Sequence, residues 1–339
     1  MTRRLLPVPL GLVAVAVLLV SIAVATTIGP SELGPRDAFT VVIERLGGPE
    51  SGLSRVRSAI IWDLRLPRAV LAAICGAGLA LCGMVLQSLL RNPLADPFIL
   101  GVSSGASTGA VSIVILGLGA GSLGLASGAF IGALVAFALV LVLGLLAGGT
   151  TERLLLAGIA TSQLFSALTS FIVFTVADAE QTRGVLFWLL GSLGTATWAD
   201  VLVCGIAVLV AGALCWLSAG SLDAFTFGED AAAALGVQVQ RMRVVLLVIT
   251  ALVTAVIVSA SGAIGFVGLV LPHAARALVG AQHRALVPLS LALGAIFLVW
   301  VDVVARTLVA PQELPIGVVT AIIGVPAFVV ILLQRGRRR

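Results

Sequence analysis

Apolar residues in this chain fall in long unbroken runs, among them Leu10 to Ala25, Ala133 to Ala147, Val201 to Leu217, Val244 to Val258 and Pro315 to Leu333. Each is near the roughly 20 residues a helix needs to cross a bilayer core of about 30 Å. A membrane barrel would show short segments alternating between lipid-facing and lumen-facing positions instead. The pattern predicts an all-α, polytopic fold of ten spans: one from about Leu10, then 67–88, 98–116, 124–147, 154–176, 199–217, 244–261, 264–279, 286–305 and 315–333. The whole chain, 1–339, reads as a single transmembrane domain. A first external loop is expected at 29–64 and a cytoplasmic segment at 218–240. Two five-helix halves divided near residue 195 suit an inverted repeat. Their best internal match is weak: Phe98-Ile99-Leu100-Gly101-Val102 against Gly265-Phe266-Val267-Gly268-Leu269.

Polar positions set the orientation. An even span count puts both termini on one side, and an arginine excess marks the cytoplasmic side. With the termini inside, Arg3, Arg4, Arg91, Arg153, Arg241, Arg243, Arg276, Arg284, Arg335, Arg337, Arg338 and Arg339 are cytoplasmic, and eight arginines are external. Six of those eight, Arg36, Arg45, Arg55, Arg57, Arg65 and Arg68, lie in or beside the first external loop, with the acids Glu32, Asp37, Glu44, Glu50 and Asp63. Arg3, Arg4 and the run to Ala23-Val24-Ala25 imitate a cleaved signal peptide. The length of that run and the spans after it favour an uncleaved first helix.

Composition narrows the chemistry. Hydrophobic residues make up 60% of the 339 and charged residues 10%, against about 45–50% and about 25% in soluble domains. No lysine is present, so the chain lacks the residue that a Walker-type loop places on the β/γ-phosphates. If ATP drives the process, a partner hydrolyses it. The pI near 10 fits arginines at membrane boundaries, and no basic patch with interleaved aromatics suggests nucleic acid. Cys75, Cys82, Cys204 and Cys215 sit inside apolar runs without metal or redox spacing and read as packing residues. Gly76, Gly78, Gly83, Gly128 and Gly132 suit close helix packing in lipid.

Four features are candidates for chemistry. A proton- or sodium-coupled transporter needs ionisable groups near the membrane midplane, and Asp302 is the main one; an i,i+4 pair with Arg306 is its simpler reading. Gly101-Val102-Ser103-Ser104-Gly105 has the form of a hydrolase nucleophile elbow, with His273 or His283 as an imaginable base, but that motif requires an α/β sheet. Ser162, Ser166 and Thr169 or Ser170 share a helix face that either lines a wet path or bonds back to the helix. Within Ser221 to Gly236, acids Glu229 and Asp230, the run Ala231 to Ala234 and Gly236 predict a short capped helix.

Arg65-Leu66-Pro67-Arg68, Arg91-Asn92-Pro93-Leu94-Ala95-Asp96-Pro97, Leu100-Gly101-Val102-Ser103-Ser104-Gly105-Ala106, Gly262-Ala263-Ile264-Gly265-Phe266-Val267-Gly268-Leu269-Val270-Leu271-Pro272-His273 and Glu313-Leu314-Pro315-Ile316-Gly317-Val318-Val319-Thr320 occur in this order. Together they resemble the iron-chelate (siderophore), haem and cobalamin ABC permease family, from about residue 60 to the C-terminus. The resemblance implies a non-enzymatic permease subunit of the bacterial cytoplasmic membrane, paired with an identical or paralogous second permease. Two ATPase subunits, which hold ATP and Mg, and one external substrate-binding protein would complete the complex. No cofactor or metal is expected on this chain. The resemblance assigns ATPase coupling to Gly228, Glu229, Asp230, Ala231, Ala232, Leu235 and Gly236, although aspartate replaces the family's usual glutamate at Asp230, a downstream proline is missing, and either acid could serve. It assigns binding-protein docking to Arg65, Arg68 and Arg306, and a cytoplasmic gate to Asn92, Pro93, Leu94, Thr150 and Thr151. A pathway would be lined by Ser162, Ser166, Thr169, Ser170, Pro315, Gly317, Thr320 and Gly324. The alternative function is an ion-coupled secondary transporter.

Overall fold

A computed structural model describes residues 7–29, 33–117, 124–176 and 178–336. Arg3, Arg4, Glu32 and Arg337 to Arg339, used above for orientation and the first loop, lie outside the described residues. The described residues form helices: α1 (Pro7–Thr27), α2 (Pro35–Arg45), α3 (Arg55–Ala59), α4 (Leu66–Leu89), α5 (Val102–Leu116), α6 (Leu125–Leu146), α7 (Thr151–Val176), α8 (Ala179–Leu189), α9 (Trp198–Leu217), α10 (Ala219–Thr226), α11 (Glu229–Ala234), α12 (Val239–Ser261), α13 (Val267–Val279), α14 (His283–Thr307) and α15 (Ile316–Gly336). A π-helical turn, Ile60–Arg65, joins α3 to α4, and a 3-10 turn, Pro97–Leu100, precedes α5.

Each predicted span has its helix. Seven apolar stretches are long enough to cross a bilayer, while α5, α13 and the described apolar part of α15 are shorter. At 1.5 Å per residue α13 reaches about 20 Å, short of a bilayer core. Both α5 and α13 begin after a residue in the left-handed region, Gly101 at φ 73° and Phe266 at φ 68°. This correspondence pairs Gly101 with Phe266 and shifts the sequence-level match, which had set Gly101 against Gly268. A bulky residue in that region costs about 1–3 kcal/mol and persists only where its surroundings impose it.

The core is organised around α4, buried almost continuously from Leu71 to Leu90 and packed by α14, α12, α13 and α9. Its composition permits this position. A Cβ at Gly76 would strike the Gly294 carbonyl of α14, and one at Gly83 would strike Gly268 of α13. The backbones meet directly, which is how helices gain packing energy where lipid removes the hydrophobic drive. Gly128 and Gly132 of α6 do the same against Gly109 and Gly105 of α5. All four cysteines are buried and unbridged.

The helices run between two ends. At one lie α2, α3, the π turn and the α14–α15 connection; at the other lie α10, α11 and the α4–α5 and α6–α7 turns. The C-terminus of α1 meets Arg65 and Arg306 at the α2 end, and the N-terminus of α15 meets Leu190 and Gly191 near it. The outer tips of α1 and α15 therefore both point toward the α11 end. Helices α2, α3, α8 and α10 were not anticipated from the apolar pattern, because they are short and lie outside the long runs.

Candidate functional site

At the α11 end the chain builds a capped lever. Gly228, at φ 110°, turns the backbone out of α10, and Glu229 and Asp230 occupy the first turn of α11, where a helix dipole favours acids. The helix stops in a Schellman arrangement: the Gly236 N–H donates to Ala233 O at 2.9 Å and the Val237 N–H to Ala232 O at 3.0 Å, with Gly236 at φ 83°. Ala232 is buried beneath the helix, Ala231 is half-buried, and Asp230 and Leu235 are exposed. The two acids diverge. Glu229 forms an ion pair with buried Arg243 of α12 and accepts a hydrogen bond from Thr151 Oγ1 at 3.5 Å. Asp230 has no ion pair among the described residues and faces outward.

Two turns flank this lever. Gly148 and Gly149, at φ 108° and 70°, reverse the chain after α6, and Thr150 opens α7 by accepting the Arg153 N–H at 3.4 Å. Arg243 Nη1 donates to Gly149 O at 2.8 Å. In the other turn, Asn92 Oδ1 accepts the Leu94 N–H at 2.9 Å, while Pro93 and Leu94 are exposed. Asp96 accepts the Phe98 N–H at 3.0 Å; burial pushes its carboxyl up to about 6, against the pull of that hydrogen bond. Residues 88, 223 and 283 form a further cluster. Asp223 Oδ1 accepts the His283 N–H at 3.0 Å and lies 2.6 Å from its Nδ1, while His283 Nε2 lies 2.7 Å from Ser88 Oγ. Ser88 is four residues before Asn92. This is the nearest approach to a hydrolase constellation, and it involves neither Ser103 nor Ser104, which sit at the start of α5.

At the α2 end, Arg65, Arg68, Arg306 and Glu313 line one open cavity of about 880 Å³. Arg65 is buried and donates to the Thr26 and Thr27 carbonyls at 3.3 and 3.1 Å. Arg306 donates to Ile28 and Ala25 carbonyls at 2.9 and 2.5 Å. These two guanidiniums satisfy carbonyls at the C-terminal end of α1 that have no partner within the helix. Arg68 bonds Asp302 and Glu313, each at 2.9 Å, and the expected i,i+4 contact of Arg306 with Asp302 is 3.5 Å. The three arginines and Glu313 that line the cavity, taken with buried Asp302 behind them, carry a net charge of +1.

Between the ends, Ser162, Ser166, Thr169 and Ser170 of α7 line a cavity of about 420 Å³ with Phe98 and with Ser103, Ser104 and Ser107 of α5. From sequence, Ser103 and Ser104 figure only as part of the Gly101–Gly105 motif and Ser107 not at all; their i, i+1, i+4 spacing was the available signal. Thr169 is the least free, bonded to Thr108 at 2.8 Å and to Phe165 O at 2.9 Å, and Ser170 donates back to Ser166 O at 3.0 Å. Gly317 lines an adjoining cavity of about 380 Å³ with Phe266, Leu189 and Ala263. Pro315, Thr320 and Gly324 line neither cavity. Thr320 is buried and bonded to Gly317 O at 3.0 Å, and Gly324 packs under Phe266.

The FecCD transport family matches residues 17–334. The cobalamin import system permease protein BtuC of Halobacterium salinarum is 43% identical over 285 residues, 84% of this chain and 76% of the relative. The hemin transport system permease protein HmuU of Yersinia pestis is 40% identical over 284 residues, covering 82% and 85%. A solved inward-facing conformation of a metal-chelate type ABC transporter superimposes with a TM-score of 0.84 at 32% identity, over 96% of this chain and 99% of that one. With its ten apolar helices and this similarity from end to end, the chain is a multi-pass membrane permease, not itself the ATPase, and belongs to the FecCD transport family.

Proposed function

We propose that this permease carries an iron-siderophore, haem or cobalamin-type chelate inward through a path shared with a second permease subunit, identical or paralogous. In this reading the α11 end is cytoplasmic and meets two ATPase subunits, and the α2 end is external and receives a binding protein. The observation that carries the proposal is the hydroxyl-lined cavity of α5 and α7: it opens on an exposed face of one chain and contains no ionisable group. Such a surface offers a bulky chelate many weak contacts and no charged trap. Affinity then resides in the binding protein, and energy comes from ATPase subunits that bind two states of the bundle unequally. The ion-coupled alternative is disfavoured because Asp302, its principal carboxylate, is held by Arg68 and Arg306.

The segment Gly228 to Gly236 couples ATP hydrolysis to the bundle, and outward-facing Asp230 is the acid that meets the ATPase, since Glu229 is engaged by Arg243. Asn92, Pro93 and Leu94 in one turn, with Thr150 and Thr151 in the other, close the path inside. Ser162, Ser166, Thr169, Ser170 and Gly317 line it, with Pro315, Thr320 and Gly324 supporting the α15 wall. Arg65, Arg68 and Arg306 form the floor on which the binding protein docks. Replacing Asp230 with arginine tests the coupling assignment: co-purification with the ATPase subunits is expected to fall sharply, more than for Glu229→Gln. Equal retention of the ATPase in both variants would reject it.

A further inference from the structure

The ATPase-facing helix and the proposed inner gate are joined through the Arg243 side chain and by a direct Thr151–Glu229 contact. It is buried at the start of α12, where one nitrogen of its fork, Nη2, holds Glu229 of α11 and the other, Nη1, donates to the carbonyl of Gly149 at 2.8 Å. Gly149 immediately precedes Thr150, and Thr151 Oγ1 closes the circuit by donating to the same Glu229 oxygen at 3.5 Å. A planar guanidinium serves two acceptors in a fixed relative orientation, which a lysine ammonium on a flexible stem does not. The other gate turn is fastened separately. Asp223 of α10 is bonded to His283 and through it to Ser88, at the end of α4 just before Asn92.

We propose that Arg243 is a positioning residue that transmits movement of α11 to the α6–α7 turn, so that one half of the inner gate is driven through the Glu229–Arg243–Gly149 link and the other half through Asp223–His283–Ser88. The inference rests on the coupling and gate assignments above and adds the connection between them. A displacement of α11 pulls on Glu229, and the Arg243 fork carries it to the Gly149 carbonyl. Packed elements with two discrete arrangements convert such small shifts into opening or closure.

The test uses the permease assembled with its ATPase subunits, in a background without Cys75, Cys82, Cys204 and Cys215. A reporter cysteine is placed at Thr150 or at Leu94, and maleimide labelling rates are compared without nucleotide and with ATP plus vanadate. In the parent protein both positions should change rate by about fivefold or more, the lower range of allosteric coupling. Arg243→Met should reduce the nucleotide dependence at position 150 to less than about twofold while position 94 keeps its response. Glu229→Gln, on a half-exposed side chain whose loss does not threaten folding, should do the same. Full nucleotide dependence at position 150 in both variants overturns the proposal, and so does equal loss at both positions, which would mean general uncoupling. If neither position responds in the parent protein, the gate assignment itself fails, and the link has no gate to drive.

Discussion

Arg68 donates from Nε to Asp302 Oδ1 at 2.9 Å, tying the first turn of α4 to the last turns of α14. Asp302 is almost fully buried, and its other oxygen faces Arg306. Stripping one partner from a buried ion pair costs about 3–5 kcal/mol when the remaining charge has no alternative. Here Arg68 keeps Glu313 and Arg306 keeps two carbonyls, so Asp302→Asn should cost about 3 kcal/mol, the lower end of that range. Thermal unfolding in detergent measures it. The double variant Asp302→Asn with Arg68→Met should lose less than the sum of the two single variants, because they share one pair, and an unchanged midpoint in the Asp302→Asn variant would contradict the account.

The same cluster is the proposed docking surface. Arg65 and Arg306 are occupied by α1, so reversing their charge would disturb the fold before it reported on a partner. Glu313 is exposed and offsets part of the cavity's charge. Glu313→Gln raises the net charge from +1 to +2, and should tighten binding-protein docking at low salt by up to about fivefold, the scale of an exposed charge pair. The gain should vanish at high ionic strength. Arg68→Gln should do the opposite, and affinities independent of both substitutions would place docking elsewhere.

Ser166 is exposed on the α7 wall of the hydroxyl-lined cavity. Ser166→Trp should abolish chelate uptake while ATP hydrolysis by the assembled complex continues, because the path is filled and the coupling end is untouched. Uptake at the parent rate would remove this cavity from the pathway.

Asp96 titrates near 6 in the folded protein, above its unfolded value of about 3.9. A carboxyl whose folded pKa is raised binds its proton more tightly when folded. Its penalty is absent below the unfolded value, grows as pH rises, and is complete above the folded one. Asp96→Asn, which can still accept the Phe98 N–H, should therefore raise the unfolding midpoint by a few degrees at pH 8. That gain should shrink to nothing as pH falls to about 4. A gain independent of pH would point to packing rather than charge.

Much of the bundle was legible because lipid favours long apolar runs, and ten such runs became ten helices, seven of them long enough to cross a bilayer. The cap at Gly236 and the Asp302–Arg306 contact were legible because both are local. The short starts of α5 and α13 were not: helix 264–279 was expected to run through Phe266, and its left-handed backbone, with Gly324 beneath the ring, is imposed by tertiary packing. The Arg68 partners lie more than 230 residues away in sequence. Likewise, nothing local distinguishes Glu229 from Asp230, since the difference is made by Arg243 reaching across from α12.

The most direct test of the central claim is uptake into proteoliposomes holding the permease, its ATPase subunits and its binding protein, with cyanocobalamin, haemin and a ferric siderophore offered in turn. The account predicts uptake of one such chelate that requires ATP on the α11 side and persists when ionophores collapse proton and sodium gradients. Uptake that follows an ion gradient without ATP would contradict it.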